Sequence, residues 1–258
     1  MFTIGDELVD IAPESLVIPP KSESTFEVLY RPLVVGEKVA DLHLKSPELG
    51  EFKYLLHLVG MPSTQQRSLN FKAALGSDAV QTFRFKHFLK KPAAYQVKLE
   101  SLDGTNLANF KAEPAQLNAP ASDSSAGADV AVNLRFEPNS LGDTRGILKV
   151  SNADAGEYTC LLQGLCVAPS PQGPIKIAAG KPVNVPFRNP LSEKCDFSIH
   201  FDNPSFSNAG KPGGPLDPGK EMQVGVKFDA NPSHPPTGRM IITAKNLPQW
   251  VYYLHGES

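Results

Sequence analysis

Residues 136–162 read FEPNSLGDTRGILKVSNADAGEYTCLL, and this stretch decides the fold. Its apolar residues recur at every second position, which is the period of a β-strand. The same pattern recurs without a gap from Tyr30 and from Phe228, so the chain carries a threefold repeat of strands. The apolar positions that match are Leu42, Leu148 and Met240; Leu44, Val150 and Ile242; Phe52, Tyr158 and Trp250; Tyr54, Cys160 and Tyr252; and Leu56, Leu162 and Leu254.

Each copy is predicted to form three consecutive strands, joined as a meander. The first strand ends in an aromatic residue, a turn with Pro and Gly follows, and residues such as 151–156 supply a second turn. Alternation along Leu42 and Leu44, and along Phe52, Tyr54 and Leu56, predicts that one face of the sheet lies in a core, while His43 and Lys45 face solvent.

A second repeat links residues 85–99 to residues 187–201, again without a gap. The middle copy holds ten more residues than the last one between the two repeated blocks. The Ser-, Ala- and Gly-rich residues 119–127 are predicted to accommodate them as a flexible surface loop.

The two repeats divide the chain into two complete modules and part of a third. Residues 62–168 and 169–258 each hold about seven short strands, with turn signals about every 8 to 12 residues, as in an immunoglobulin-like sandwich. Residues 1–61 hold only the C-terminal half of a module, which leaves a sheet face and a strand edge uncovered. We therefore expect this chain to be cut from a longer array. We also expect the half module either to borrow a surface from residues 62–168 or to be poorly ordered.

Composition excludes several classes of protein. The 25 Lys and Arg residues against 27 Asp and Glu residues give a net charge of -2, which disfavours a nucleic-acid binder. The 24 prolines and 20 glycines disfavour long helices, and the 41% of hydrophobic residues supports packed cores. No apolar run is long enough for a membrane span, and the first residues do not resemble a signal peptide. The three cysteines, Cys160, Cys166 and Cys195, are predicted to be reduced and buried, which indicates the cytosol.

No motif for catalysis, cofactor binding or metal binding is found in the sequence. The P-loop, dinucleotide-binding and nucleophile-elbow patterns are missing, and no Cys-x-x-Cys or His-x-x-x-His pair occurs. The histidines are scattered: His43, His57, His87, His200, His234 and His255. The sequence therefore predicts neither an enzyme nor a binder of small molecules, cofactors or metals.

One local cluster of charge is a candidate for binding a partner. Between residues 83 and 98 there are five cations and no acid: Arg84, Lys86, Lys90, Lys91 and Lys98. Alternation with Phe83, Phe85, Tyr95 and Val97 predicts that most of them lie on the solvent face of a hairpin. They would contact an acidic surface, such as a tubulin tail or a neighbouring scaffold protein. The alternative is a solvated strand face whose lysines protect an edge from aggregation.

The aromatic residues near the end of the chain divide between two predicted roles. Trp250 and Tyr252 fall at the repeated positions of the last strand and are predicted to pack in the core. Tyr253 falls on the opposite face and is the candidate for contact with a partner.

These residues resemble a known group of domains. Tyr30-Arg31-Pro32 with Gly36, the run at residues 50–60, and residues 185–191 are similar to the ASH domain of hydin-type ciliary proteins, over nearly the whole chain. The resemblance implies a non-enzymatic scaffold of the ciliary or flagellar axoneme, associated with the central pair of microtubules and needed for motility. Its partners would be other axonemal proteins. The proline-containing linkers at residues 60–63 and 167–171 predict a stiff array.

Two alternatives stay open. The related major sperm protein domains bind acidic peptides, and Phe85, Lys86, Pro92, Tyr95 and Val97 can be aligned with their basic strand. Phe88 then stands where that family has a second lysine, and Leu89 and Lys90 replace a pair of threonines. Such an adaptor would act in the cytosol or at membrane contacts. A chaperone that offers a strand edge is the other alternative.

Overall fold

A computed structural model describes residues 1–63, 66–102, 107–122 and 126–257. Within these residues the chain forms 21 strands, β1 to β21, and one 3₁₀ turn at Leu107–Asn109. None of the helical turns in this part of the chain is long and apolar enough to cross a membrane.

Residues 1–61, which we call the half module, form two small sheets. Their strands are β1 (Phe2–Ile4), β2 (Val9–Ala12), β3 (Glu27–Tyr30), β4 (Gly36–Ser46) and β5 (Gly50–Gly60). One sheet has the order β1-β4-β5, and the other pairs β2 with β3.

The next eight strands form the first sandwich. They are β6 (Ser68–Ala74), β7 (Ala79–His87), β8 (Ala93–Ser101), β9 (Phe110–Glu113), β10 (Gln116–Ala119), β11 (Ala128–Phe136), β12 (Gly142–Asn152) and β13 (Gly156–Val167). A five-stranded sheet of order β10-β8-β12-β13-β6 faces a three-stranded sheet of order β7-β11-β9. Strand β6 runs parallel to β13, and the other pairings are antiparallel.

The last eight strands form the second sandwich with the same topology. They are β14 (Gln172–Ala178), β15 (Val183–Arg188), β16 (Cys195–Phe201), β17 (Phe206–Asn208), β18 (Gly213–Leu216), β19 (Glu221–Phe228), β20 (Thr237–Thr243) and β21 (Trp250–Glu257). The sheet orders are β14-β21-β20-β16-β18 and β15-β19-β17. The chain is thus all-β with tandem immunoglobulin-like sandwiches, as predicted. Each has eight strands rather than about seven, because the segment between β8 and β11 forms two short strands, one in each sheet.

The prediction of a three-stranded meander in each repeat is wrong. Strand β11 lies in the three-stranded sheet, whereas β12 and β13 pair in the opposite sheet. The connection at residues 137–141 therefore crosses from one sheet to the other. The crossing places Phe136, at the end of β11, inside the core, where it is fully buried. A meander in one layer would leave that ring without an opposite sheet to cover it.

The ten extra residues of the first sandwich are not confined to residues 119–127. Leu99 and Phe201 pair with the matching residues Leu148 and Met240, and they lie 102 residues apart. Phe110 and Phe206, which pair with Phe136 and Phe228, are only 96 residues apart. Part of the insertion therefore precedes β9. Ala119 and Ser122 are buried rather than in a surface loop, and residues 123–125 of the predicted loop lie outside the described residues.

The repeated apolar positions form the cores of the two sandwiches. Buried positions are Leu148, Val150, Cys160 and Leu162 in the first, and Met240, Ile242, Trp250, Tyr252 and Leu254 in the second, while Tyr158 is half-buried. In the half module the prediction of burial is wrong for Phe52 and Tyr54, which are 47% and 54% exposed, because no second sheet covers that face. The prediction that the cysteines are buried holds for Cys160 and Cys166, but Cys195 is half-buried at the start of β16.

The half module borrows a surface from the first sandwich, as one of the two expectations stated. Leu8 and Leu33 pack against the core of the first sandwich, while Val9, Ala40 and Leu58 form a small core of their own.

A glycine opposite an aromatic ring is a further repeated feature of both sandwiches. A Cβ at Gly164 of β13 would overlap the ring of Phe136, and a Cβ at Gly256 of β21 would overlap the ring of Phe228. Each glycine therefore provides the space in which the ring at the end of β11 or β19 fits between the sheets.

We expect Gly164→Ala to lower the free energy of unfolding by about 1–3 kcal/mol, because the new methyl group overpacks against Phe136. The double variant with Phe136→Leu should recover part of the loss contributed by Gly164→Ala, since the two sites share one space. Urea unfolding of the single and double variants measures the coupling, and Gln163→Ala, exposed on the same strand, is the control. Additive effects of the two changes would contradict this packing.

Candidate functional site

The five candidate cations do not form the predicted basic hairpin. Strands β7 and β8 lie in opposite sheets, because the chain crosses the core between them. Arg84 and Lys86 point outward from the three-stranded sheet, and Lys98 is exposed on the five-stranded one. Lys90 and Lys91 are exposed in the connection between the two strands. The cations are therefore divided between two faces and a loop of the first sandwich, and the single basic face is a wrong prediction.

Two of the five cations are also paired with carboxylates. Lys86 Nζ lies 2.9 Å from Asp129 Oδ1, and Lys91 Nζ lies 2.9 Å from Asp154 Oδ2. The hydrogen bond to Asp154 raises the pKa of Lys91. Among the described residues, Arg84, Lys90 and Lys98 form no ion pair. The pairing reduces the local positive charge that an acidic partner would meet.

The connection after β7 is held by a buried polar residue that the sequence analysis missed. His87 Nε2 donates a hydrogen bond of 2.9 Å to the Lys91 carbonyl, and Nδ1 accepts one of 2.9 Å from the Tyr95 hydroxyl. Asn189 holds the corresponding connection of the second sandwich, through hydrogen bonds from Nδ2 to the carbonyls of Glu193 and Leu216. The repeat of residues 85–99 at 187–201 aligns His87 with Asn189 and could have revealed this role.

The positions aligned with the peptide site of major sperm proteins have packing roles here. Leu89 is buried in the core of the first sandwich, and Phe88 covers Gly127, where a Cβ would lie 2.8 Å from its ring. Lys90 alone of these three is exposed.

Tyr253 is exposed on the outer face of β21, as predicted, and Trp250 and Tyr252 are buried in the core. The cross-strand neighbour of Tyr253 is Arg239, whose Nε donates a hydrogen bond of 2.7 Å to Asp202. Tyr253 therefore offers an aromatic surface beside a cation that is already paired.

The two sandwiches interlock through side chains of the first that enter the core of the second. Leu75, which follows β6, and Cys166, near the end of β13, belong to the core cluster of the second sandwich. Trp250 Nε1 donates a hydrogen bond of 3.4 Å to the Leu75 carbonyl. Burial raises the pKa of the Cys166 thiol to about 11, so this thiol is protonated and unreactive at neutral pH.

A carboxylate that pairs with a cation of each sandwich lies at the edge of this junction. Glu137 Oε1 lies 2.8 Å from Arg188 Nη1 of the second sandwich, and Oε2 lies 2.8 Å from Lys111 Nζ of the first. The hydrogen bond from Lys111 lowers the pKa of Glu137 below its ordinary value of 4.5; partial burial opposes this effect, and Arg188 adds to it. Glu137 thus links the two sandwiches electrostatically.

The half module contacts the first sandwich through the connection between β3 and β4, which corresponds to the connection between β11 and β12. Residues 32–35, between β3 and β4, line a cleft of about 770 Å³ together with residues 151–153 and 156–159 of the first sandwich. The Leu33 carbonyl lies where a Cβ on Gly156 would be, and Gly156 has a φ of +85°. Residues 138 and 139, between β11 and β12, line a smaller cleft against residues 188–191 of the second sandwich. At both junctions the connection that crosses between the sheets faces the next sandwich.

Within the described ranges, no group of three or more His, Cys, Asp or Glu side chains could hold a metal ion. What the arrangement provides is extended surface and tight junctions between β-sandwiches.

We expect Glu137→Gln to lower the free energy of unfolding at pH 7 by about 0.2–1 kcal/mol, since the ion pairs at the junction are partly exposed. A carboxylate with a lowered pKa stabilises the fold above its unfolded pKa, and this contribution is lost as the pH falls through the lower, folded pKa. The difference from the native chain should therefore shrink as the pH falls from the ordinary value of 4.5 through the lower pKa of the folded state. Urea titrations at pH 7 and pH 3 measure it, with Glu113→Gln as an exposed control from β9. A difference at pH 3 as large as the one at pH 7 would rule out the ionic contribution.

No family model matches the chain. Among curated proteins it is 32% identical over 265 aligned residues to the human hydrocephalus-inducing protein homolog, and 33% identical to the mouse hydrocephalus-inducing protein. Each alignment covers 99% of this chain but only 5% of the relative, so the chain spans a small part of either protein.

Solved structures show more distant likenesses. The ASH/PapD-like domain 7 of human CEP192 is 10% identical, with a TM-score of 0.33, over 61% of this chain and 97% of that domain. WR4, a C. elegans MSP family member, is 10% identical, with a TM-score of 0.27, over 39% of this chain and 92% of its own. These scores are low, and the fold of this chain rests on its own strand order and register. Over almost its entire length the chain is similar to a short segment of the hydrocephalus-inducing proteins, which confirms the resemblance to hydin-type proteins that its repeats indicated.

Proposed function

We propose that this chain is a non-enzymatic structural scaffold of the ciliary or flagellar axoneme, and that it serves as a stiff spacer in the central-pair apparatus that supports motility. The ciliary assignment is supported by the hydin-type resemblance and by the similarity to the hydrocephalus-inducing proteins. The observation that carries the spacer role is the interlocking of its units, since the core of each sandwich includes side chains of the preceding unit.

Interlocking resists bending at the junctions. A hinge between the sandwiches would expose Leu75 and Cys166 to water, and it would separate Trp250 from the Leu75 carbonyl. Exposure of one buried side chain of the size of leucine costs about 1.5–3 kcal/mol. A free linker would carry no such cost, so these contacts hold the two sandwiches in one relative orientation.

The partners we propose are other axonemal proteins that contact the outer faces and loops of the sandwiches. Exposed candidates for these contacts are Arg84, Lys90, Lys98 and Tyr253. A microtubule would meet the cations as separate groups, not as one basic face, because β7 and β8 lie in opposite sheets.

We expect Leu75→Ala to loosen the array. Loss of the leucine side chain from the core of the second sandwich should lower its free energy of unfolding by about 2–5 kcal/mol and permit bending at the junction. Small-angle X-ray scattering should show a single compact distance distribution for the native chain and a broader one for the variant. Leu165→Ala, half-exposed on β13, is the matched control. Freely reorienting sandwiches in the native chain would contradict the spacer role.

The ciliary assignment is tested by the location of the tagged full-length protein in a flagellated cell after extraction with detergent and then with salt. A scaffold should stay with the axoneme through both steps. Release with membranes or into the soluble pool would contradict the assignment and favour the peptide adaptor. Tight, salt-sensitive binding of an acidic, phenylalanine-rich peptide by the isolated chain would favour the same alternative.

A further inference from the structure

The strands of the half module occupy the positions of the later strands of a complete sandwich. Phe2 of β1 pairs with Leu44 of β4, as Val97 of β8 pairs with the matching Val150 of β12. Val9 of β2 pairs with Tyr30 of β3, as Phe110 of β9 pairs with Phe136 of β11. No described strand lies beside β3 in the way that β7 lies beside β11. One edge of β3 is therefore unpaired among the described residues.

The apolar face that this strand would cover is exposed. Phe52 and Tyr54 of β5 are 47% and 54% exposed, and Val28 of β3 is 41% exposed. Their counterparts in the first sandwich are Tyr158, Cys160 and Leu134. Cys160 and Leu134 are buried, and the ring of Tyr158 lies 4.4 Å from that of Phe85 of β7. The same face is thus covered in the first sandwich by alternate residues of β7.

Two carboxylates, Glu27 at the start of β3 and Glu23 four residues before it, indicate a basic partner. Glu23 matches Asp129, which pairs with Lys86 of β7 at 2.9 Å. Glu27 matches Asn133, which lies opposite Thr82 of β7. Among the described residues, neither Glu23 nor Glu27 forms an ion pair. A strand that runs beside β3 and beside the residues before it would therefore bring its outward-facing side chains next to two carboxylates that form no ion pair within the described residues.

We propose that the open face of the half module binds an extended polypeptide segment from outside residues 1–258, which adds to the free edge of β3 as β7 adds to β11. The segment carries large apolar side chains at alternate positions and cations between them. Its apolar side chains cover Val28, Phe52 and Tyr54, and its cations lie beside Glu23 and Glu27. This binding surface is independent of the spacer role, which depends on the junctions.

The test uses the full chain and a synthetic peptide of the sequence AVQTFRFKH, which is residues 79–87 and has the required pattern. Fluorescence anisotropy of the labelled peptide should show saturable binding with one peptide per chain. Phe52→Glu combined with Tyr54→Glu should weaken it by about tenfold or more, because two carboxylates replace the apolar face. Leu55→Glu is the matched control: Leu55 is 59% exposed on the opposite face of β5, and its change should leave binding intact. Thermal unfolding checks that each variant is folded.

A charge exchange tests the orientation of the strand. Glu23→Lys should weaken binding of the basic peptide by about threefold to tenfold, and a peptide with glutamate in place of Lys86 should restore it. Unchanged binding in the Glu23 variant would overturn the proposed register.

Three results would overturn the proposal as a whole. One is the absence of saturable binding. Another is binding that survives the double change at Phe52 and Tyr54, since the peptide would then have replaced β7 in the first sandwich. The third is a concentration-dependent dimer in sedimentation that the same double change abolishes, which would make a second copy of this chain the occupant of the face.

Discussion

The whole molecule depends on one constraint: a β-sheet with apolar side chains on one face has to cover that face. In the first sandwich, Leu148, Val150 and Leu162 of the five-stranded sheet meet Phe83, Val132 and Phe136 of the three-stranded sheet. Hydrophobic burial fixes which strands face each other, and the crossing connections follow from it. The half module contains the same alternating residues without their cover, and its exposed aromatic side chains are the direct consequence.

The contacts between units depend on the same requirement that apolar side chains be covered. Side chains of the preceding unit extend the core of each sandwich: Leu8 and Leu33 pack against the first core, and Leu75 and Cys166 are buried in the second. The connections that face the next sandwich, between β3 and β4 and between β11 and β12, have the same place in the repeat. One mode of docking can therefore recur along an array. The stiffness that we propose for the array rests on these shared cores, with the proline-containing linkers as a secondary contribution.

The candidate cations show which features could not be predicted from the order of residues. Arg84, Lys86 and Lys98 lie close in sequence, and alternation correctly placed each of them on a solvent face. It could not show that those faces belong to different sheets, because period two describes a strand and not its neighbours. For the same reason the pairing of Lys86 with Asp129 and of Arg188 with Glu137 was invisible, since each pair joins residues more than 40 positions apart.

By itself the sequence determined the all-β class, the repeat, the buried positions of the last two strands in each sandwich and the exposed side of Tyr253. These features follow from the alternation of apolar and polar residues, which is a local property of the sequence. Only the tertiary structure decided which sheet each strand joins, that Leu75 leaves its own sandwich for the core of the next, and that Phe52 and Tyr54 stay exposed. These outcomes depend on contacts between distant segments, and burial is a property of the neighbours that a side chain meets and not of the side chain alone.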